Sequence, residues 1–247
     1  MTDPIIQTDA LTRTFGTFIA VDKVSFEVKR GEIFGFLGAN GAGKTTVMKM
    51  LTGLLKPSSG TAFVSGMDVY TQADEIKKSI GYMSQKFSLY NDLTVEENIR
   101  FYGGIYGIPN DELNDKIRHT INSTGLEDSK KKLVKTLPLG WKQKLAFSVA
   151  TLHDPVIVFL DEPTGGVDPI TRRQFWERIY EASENGTTMF VTTHYMDEAE
   201  YCDRISIMVD GRIDALDTPE GLKNTWSTRS IEDIFIKLAR SANRGEG

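Results

Sequence analysis

The chain has 247 residues, of which 40% are apolar and 26% are charged, and its formal net charge is -5. That length and apolar content allow a substantial core in one large domain or two small ones. No apolar stretch approaches the roughly 20 residues that a membrane-spanning helix needs. The acidic balance argues against binding nucleic acid through bulk electrostatics. The single cysteine, Cys202, excludes an internal disulfide and fits a reducing compartment.

In chain order, alternating strand and helix patterns predict an α/β domain with a mostly parallel sheet. Two strands flank a turn at residues 29–31, and the second, at 32–37, is nearly all apolar. Such a continuous apolar run is typical of a strand buried on both faces. Residues 156–160 and 188–192 repeat this pattern. We therefore expect these three strands to lie in one sheet.

Residues 86–151 show helical rather than strand patterns and are interpreted as a helical insertion. Thr94 and Glu97 have the spacing of a capping box ahead of apolar residues at helical intervals. A second helical pattern runs from Asn110 to near Gly125.

The remainder of the chain returns to alternating strands and helices. Asp168 followed by Pro169 opens a helix, with Asp as the N-cap and Pro at the first helical position. Asp210-Gly211 between two apolar runs predicts a β-hairpin. A last helix begins after Ser230 and precedes a polar tail at 241–247.

Residues 38–45, Gly-Ala-Asn-Gly-Ala-Gly-Lys-Thr, match the G-x-x-x-x-G-K-[ST] pattern of a phosphate-binding loop. Small residues let the backbone curl around a phosphate with its N–H groups inward, and the following helix adds its positive end. Lys44 is expected to contact the outer phosphates, and the Thr45 hydroxyl to bind Mg²⁺. An apolar strand before the loop and an apolar helix after it support binding of a nucleoside triphosphate. The nucleotide-binding residues expected here are Gly38, Ala39, Asn40, Gly41, Ala42, Gly43, Lys44, Thr45 and Thr46.

Two acids end the strand at 156–160 and fit a role beside this loop. Asp161 is expected to hold Mg²⁺ through water, and Glu162 to polarise an attacking water. The alternative, a strand that simply ends in solvated carboxylates, is disfavoured by the neighbouring phosphate loop. A further strand ends just before His194. If that strand is parallel to the others, His194 emerges at the same edge, where ligands of open α/β sheets bind.

In order and spacing these motifs resemble those of the ATP-binding cassette (ABC) ATPases, over about residues 5–238. Residues 38–45 match the Walker A loop, and 156–161 match the Walker B strand. The resemblance implies an α/β P-loop NTPase (RecA-like) core with an N-terminal antiparallel β subdomain and a helical insertion. The boundaries expected are 1–240 for a single ABC ATPase domain, 1–85 and 152–240 for its catalytic core, and 86–151 for its helical subdomain.

The resemblance also implies roles for individual residues. Glu162 is expected to be a general base or water-orienting group, His194 to contact the γ-phosphate, and Lys44 to offset the charge of the transferring group. Gln85 matches the Q-loop of the family, and Phe15 falls where the family places an aromatic ring on adenine. For Phe15 a core role, and for Gln85 a surface role, remain open. The Mg²⁺ ligands expected are Thr45, Gln85 and Asp161.

Residues 137–141 read Leu-Pro-Leu-Gly-Trp where ABC ATPases have a signature that begins Leu-Ser-Gly-Gly-Gln. Pro138 offers neither a hydroxyl nor an N–H, and Leu139 adds a side chain where glycine lets the backbone approach. Gly140 and the positive end of the following helix remain. Two interpretations stay open, a tolerated variant or a weakened site that a partner must complete. The signature and dimer residues expected are Leu137, Pro138, Leu139, Gly140, Trp141 and Asp168, the last in a segment that resembles the family's D-loop.

The family resemblance implies two ABC ATPase domains, identical or different, that close around two ATP molecules with Mg²⁺. Residues 86–98, 137–141 and 232–236 resemble those of ABC-2-type exporter ATPases. Integral membrane permease subunits are therefore expected as partners, and nucleic acid is not. The chain, without a transmembrane segment of its own, is expected at the cytoplasmic face of a membrane through its permease.

Phe87, Leu89 and Tyr90 are candidate contacts with a permease, or else packing residues of the helical insertion. Three other interpretations of the whole chain remain. A non-transport ABC ATPase acting on ribosomes, DNA or cofactor assembly is the main alternative. Half of a longer tandem protein is another. A nucleotide kinase on the same loop is disfavoured by Glu162 following Asp161 and by the strand that ends at His194.

Overall fold

The structure, a computed structural model, describes residues 3–86 and 88–242, with side chains through residue 240. The strands are β1 (Ile6–Phe15), β2 (Phe18–Val28), β3 (Ile33–Gly38), β4 (Ser59–Val64), β5 (Met67–Asp68), β6 (Ile80–Met83), β7 (Ile157–Asp161), β8 (Thr188–Thr193), β9 (Arg204–Val209) and β10 (Arg212–Asp217). The α-helices are α1 (Lys44–Leu51), α2 (Ala73–Ser79), α3 (Val95–Ile105), α4 (Asn110–Thr124), α5 (Leu139–Ala150), α6 (Pro169–Glu184), α7 (Pro219–Thr225) and α8 (Ile231–Ala242).

A six-stranded sheet in the order β10-β9-β3-β8-β7-β6 forms the centre of the fold. All its pairings are parallel except that of β10 with β9. The mostly parallel sheet expected from the sequence is thus confirmed. Every residue of β3, β7 and β8 is buried, which explains why β3 and β7 are almost continuously apolar and why β8 has an apolar centre. The β9–β10 hairpin turns at Asp210 and Gly211, whose φ angles are 44° and 83°, as a two-residue turn of this kind requires.

A second, antiparallel sheet has the order β2-β1-β4-β5. Buried and exposed residues alternate along much of β2 and β4, as expected for a sheet with one face on the core. Between the two sheets, Phe190 of β8 packs against four other phenylalanine rings at centroid distances of 5.3–6.1 Å. These rings are Phe26, Phe34, Phe36 and Phe159.

Side chains on the two faces of β3 pack into two different apolar clusters. Phe34 and Phe36 face the antiparallel sheet, whereas Ile33 and Leu37 belong to the cluster on the other side, with residues of α6 and α8. Because helices and strands cover both faces, the sheet can present ligand-binding residues only at its edges and strand ends. In such sheets a ligand binds at the carboxyl ends of the parallel strands.

Three helices, α3, α4 and α5, lie between β6 and β7 and share a separate apolar cluster. The capping box at the start of α3 is present. The Thr94 hydroxyl accepts a hydrogen bond from the Glu97 N–H at 3.2 Å, and the Glu97 carboxylate accepts one from the Thr94 N–H at 2.8 Å. Helix α4 ends at Gly125, whose φ of 71° is the left-handed conformation of a C-cap.

Candidate nucleotide-binding site

The phosphate-binding loop joins β3 to α1 and is tightly enclosed at two glycines. A Cβ on Gly38 would lie 2.6 Å from the Met208 carbonyl oxygen, and one on Gly43 would lie 2.5 Å from that of Ala20. Gly43 also has a φ of 108°, which side-chain-bearing residues rarely adopt. The loop therefore depends on glycine here, and it ends at the positive N-terminus of α1.

Lys44, the first residue of α1, is only 4% exposed. Its ammonium group donates hydrogen bonds to the carbonyl oxygens of Gly38 and Ala39, at 2.8 and 3.1 Å. It also lies 3.3 Å from Glu162 Oε1. These contacts hold the positive charge inside the loop, as expected for a group that meets phosphate oxygens.

Asp161, the last residue of β7, is 3% exposed and faces the loop across β8. The Thr45 hydroxyl lies 3.2 Å from both of its carboxylate oxygens, and the Thr192 hydroxyl donates to Oδ1 at 2.7 Å. A hydroxyl and a carboxylate brought together in this way are oxygen donors of the kind that Mg²⁺ prefers. Burial, and then the charge of Asp161, raise the pKa of Tyr82 to about 12, so its hydroxyl stays protonated at neutral pH.

Three other side chains converge on the carboxylate of Glu162. Its Oε2 accepts a hydrogen bond from Gln85 Nε2 at 3.0 Å and lies 3.0 Å from His194 Nδ1, while Oε1 faces Lys44. Glu162 has a φ of 48°, an uncommon conformation for a residue with a side chain and one that clusters at functional sites. Its N–H donates to the carbonyl and hydroxyl oxygens of Thr192, which holds this backbone in place.

A cleft of about 380 Å³ lies over the loop. It is lined by Phe15, Phe18, Ala20, Asn40, Gly41, Gly43, Lys44, Thr45, Thr46, Gln85 and Glu162. Phe15 is 47% exposed, and the Arg13 guanidinium stacks 4.6 Å from its ring centroid. The location of Phe15 in this cleft excludes the core alternative. Phe18 is 63% exposed and pairs with Phe15 across the β1–β2 turn. The sequence motifs do not include Phe18, and its one signal is that it is an aromatic residue three positions after Phe15.

A second cleft, of about 390 Å³, lies at the start of α5. It is lined by Pro138, Leu139, Gly140, Trp141, Lys144, Gly166, Val167, Asp168, Thr171 and Gln174. The signature segment and the segment that begins α6 therefore meet here. Leu137 does not line this cleft, because it is buried in the apolar cluster of α3, α4 and α5. Ala42 is likewise buried beneath the phosphate loop.

The start of α5 shows how the unusual signature is accommodated. Pro138 is the N-cap residue, with φ -56° and ψ 154°, and the helix begins at Leu139. Leu139 is 41% exposed at the cleft. A Cβ on Gly140 would lie 2.8 Å from Thr171 Cγ2, so this glycine permits close packing of α5 on α6. Asp168 caps α6 by accepting hydrogen bonds from the N–H groups of Ile170 and Thr171 at 3.0 Å.

The candidate permease contacts differ in their surroundings. Phe87 lies outside the described residues. Leu89 is partly buried and packs against two apolar clusters, that of the helical segment and that beneath the parallel sheet. Tyr90 is 49% exposed, and its ring meets Phe101 edge-on at 4.6 Å.

A phosphate-binding loop lies at the carboxyl ends of parallel strands, and Asp161 and Glu162 lie at the carboxyl end of β7, with only β8 between β7 and β3. This arrangement defines a P-loop nucleoside triphosphatase. A profile of the ABC transporter family matches residues 21–165. The chain therefore belongs to the ABC transporter family and is an ATP-binding cassette, or ATPase, domain. This confirms the family and the P-loop fold expected from the motifs.

Individual relatives agree with this assignment. The chain is 51% identical over 241 residues to the "Probable multidrug ABC transporter ATP-binding protein YbhF" of Escherichia coli (strain K12), covering 96% of this chain and 42% of the relative. It is 35% identical over 238 residues to the "Linearmycin resistance ATP-binding protein LnrL" of Bacillus subtilis (strain 168), covering 96% of this chain and 75% of the relative. A solved structure of an ATP-binding subunit of an ABC transporter superposes with a TM-score of 0.86 at 27% identity, covering 95% of this chain and 99% of that one.

The chain spans less than half the length of YbhF. Within the part of the chain that the structure describes, no helix combines the length and the apolar character needed to cross a membrane.

Proposed function

We propose that this cassette hydrolyses Mg²⁺-ATP to power an exporter whose membrane-spanning permease is a separate subunit or segment. One observation carries the proposal: the Glu162 carboxylate lies at the meeting point of Lys44, Gln85 and His194, beside the phosphate loop. A base, a cation and a polar group at one position are the components that phosphoryl transfer to water needs.

ATP is proposed to lie in the cleft over the loop, with its base between Phe15 and Phe18 and its phosphates on the N-terminus of α1. Lys44 then exchanges its contact with Glu162 for the outer phosphates. The freed Glu162 carboxylate accepts a proton from a water molecule, whose oxygen bonds to the γ-phosphorus as the bond to ADP breaks. His194 contacts the departing phosphate, and Lys44 offsets the charge that develops on it.

Thr45 and Asp161, with Gln85 close by, would hold Mg²⁺. Their hydroxyl, carboxylate and amide oxygens are suitable ligands for this ion. When bound, the ion offsets the negative charge of the phosphates. The Thr45–Asp161 contact at 3.2 Å supports this assignment, since it places two of the three proposed ligands side by side.

A second cassette is the proposed partner of the signature cleft. The nucleotide cleft and the signature cleft are separate surfaces of this chain, lined by different residues. If two cassettes pair head to tail, each nucleotide meets the loop of one cassette and the signature of the other. Ile170, 72% exposed beside Asp168, supplies an apolar contact for such an interface.

The proposed permease contact is the exposed apolar surface formed by Tyr90, Phe101 and Ile105, which are 49%, 40% and 59% exposed. This surface lies on α3 and the segment before it, which follows Gln85 in the chain. A movement of Gln85 on nucleotide binding can therefore pass along a short stretch of chain to this surface. The names of YbhF and LnrL, a multidrug transporter component and a linearmycin resistance protein, support an exporter with a drug-like cargo.

Co-purification from detergent-solubilised membranes tests the exporter proposal. We compare the wild type with Phe101→Ser and with the control Phe63→Ser, which changes a phenylalanine of similar exposure, 38%, on β4. A multispanning membrane protein that is retained by the wild type and the control, and lost by Phe101→Ser, supports the proposal. Co-purification with ribosomes contradicts the exporter proposal, and equal retention of the membrane protein by both variants contradicts the proposed contact surface.

A further inference from the structure

Glu198 is a fully buried acidic residue outside the nucleotide cleft. It lies in the short helical turn Met196–Tyr201 and has 0% exposure. Its Oε1 accepts a hydrogen bond from the Thr164 hydroxyl at 2.5 Å and lies 3.6 Å from Arg172 Nε. Its Oε2 has no hydrogen-bond partner among the residues that the structure describes. Since an apolar side chain often fills such a buried position at lower cost than a charge, stability alone does not explain this carboxylate.

The contacts of Glu198 join the segments that carry the proposed hydrolytic residues. Thr164, 1% exposed, is two positions after Glu162. Glu198 itself is four positions after His194. Glu162 and His194 meet at 3.0 Å, so the Thr164–Glu198 hydrogen bond ties together the backbones behind both partners of that contact.

Arg172 extends this connection to the ring of His194. Its guanidinium stacks 4.1 Å from the ring centroid of Tyr195, and the Tyr195 ring lies 4.2 Å from that of His194. Arg172 also pairs with Asp197 at 3.3 Å. Because Arg172 lies in the first turns of α6, Glu198 links the start of that helix, the segment after Glu162 and the segment after His194.

We propose that Glu198 is a positioning residue for ATP hydrolysis. Held by Thr164 and Arg172, it fixes the separation of Glu162 and His194 without touching the nucleotide. The inference rests on the proposed roles of those two residues. A displacement of about 1 Å at a reacting group can cost on the order of 10²-fold in rate. The phosphate loop and the aromatic pair at Phe15 do not depend on Glu198, so loss of Glu198 affects kcat and leaves the KM for ATP unchanged.

The test compares Glu198→Ala and Glu198→Gln with the control Glu32→Ala. Glu32 is also a buried acid, 8% exposed, and pairs with Arg204 at 3.1 Å. It comes just before β3, so it lies at the amino end of that strand, whereas the site lies at the carboxyl end. We expect Glu198→Ala to lower kcat on the order of 10²-fold at unchanged KM. Glu198→Gln keeps an acceptor for Thr164 and recovers much of the rate, whereas Glu32→Ala lowers the melting temperature without this effect on kcat.

The outcomes separate this inference from the proposed function. If the wild type does not hydrolyse ATP, or Glu162→Gln retains the full rate, the proposed function fails, and the positioning role fails with it. If both of those behave as proposed, a wild-type kcat in Glu198→Ala, a matching kcat loss in Glu32→Ala, or no recovery in Glu198→Gln overturns the positioning role alone. Should Glu198→Ala not fold, Thr164→Val removes the same hydrogen bond with little change in volume and is expected to give the same loss of kcat.

Discussion

Replacing Gly140 with alanine tests the packing of the signature helix on α6. The added Cβ would lie 2.8 Å from Thr171 Cγ2, too close for an undistorted contact. Thr171 cannot rotate away freely, because its hydroxyl donates to Asp168 Oδ2 at 2.6 Å. Overpacking by one methyl group costs about 1–3 kcal/mol, whereas replacing a helical glycine with alanine gains up to about 1 kcal/mol. We therefore expect a net fall of about 0–3 kcal/mol in the free energy of unfolding.

Gly104→Ala is the matched control. Gly104 is the second-last residue of α3, as Gly140 is the second residue of α5, and a Cβ there meets no atom of the described chain within 4 Å. Both variants share the gain in helix propensity, so the difference between them isolates the packing cost of about 1–3 kcal/mol. Thermal unfolding measures it, at about 2–4 °C for each kcal/mol in a chain of this size. Equal melting temperatures for the two variants would refute the proposed contact with Thr171.

Three further predictions concern the signature, the base-binding aromatics and the helical segment. Pro138→Ser combined with Leu139→Gly is expected to change the rate of ATP turnover little, because α5 already begins at the cleft. A rise in that rate near 10²-fold, which is what one oxyanion donor supplies, would instead indicate a weakened native site. Phe18→Ala and Phe15→Ala are each expected to weaken nucleotide binding on the order of 10-fold, since stacking on a base is worth about 1–3 kcal/mol. If a fluorescent ATP analogue binds Phe18→Ala with unchanged affinity, Phe18 is not part of the site. Thr94→Ala removes the N-cap of α3 and is expected to lower the free energy of unfolding, measured by denaturant titration, by about 1 kcal/mol at unchanged nucleotide affinity. An unchanged unfolding midpoint would show that the Thr94 cap does not stabilise the helix.

The parts of the fold that the sequence predicted well are those with strong local signals. Strands β3 and β7 are almost continuously apolar and β8 has an apolar centre, because both faces of these strands are buried. The capping box of α3 and the turn at Asp210 and Gly211 are short-range chemistry that needs no tertiary information. Strand β5, with two residues, and β6, with four, are too short to give a periodic signal, and pairing with their neighbours determines them.

The phosphate loop could be read from eight consecutive residues, but the grouping around Glu162 could not. Gln85 and Glu162 are 77 positions apart, and His194 and Glu162 are 32 apart. Only the order of motifs in a family suggested that they meet. The sequence gives no signal for Glu198, because Asp197 precedes it and Glu200 follows two positions later, in a stretch that resembles a solvated turn. Its burial follows from tertiary packing against Thr164 and α6.

The hydrolytic role of Glu162 is the central claim, and Glu162→Gln tests it most directly. Removing a general base typically costs 10²–10⁴-fold in rate, while amide oxygen and nitrogen preserve the size of the side chain. The measurement is single-turnover hydrolysis of radiolabelled Mg²⁺-ATP together with the amount of ATP retained by the protein. We predict ATP that stays bound and is not cleaved. Hydrolysis at the wild-type rate would contradict the account.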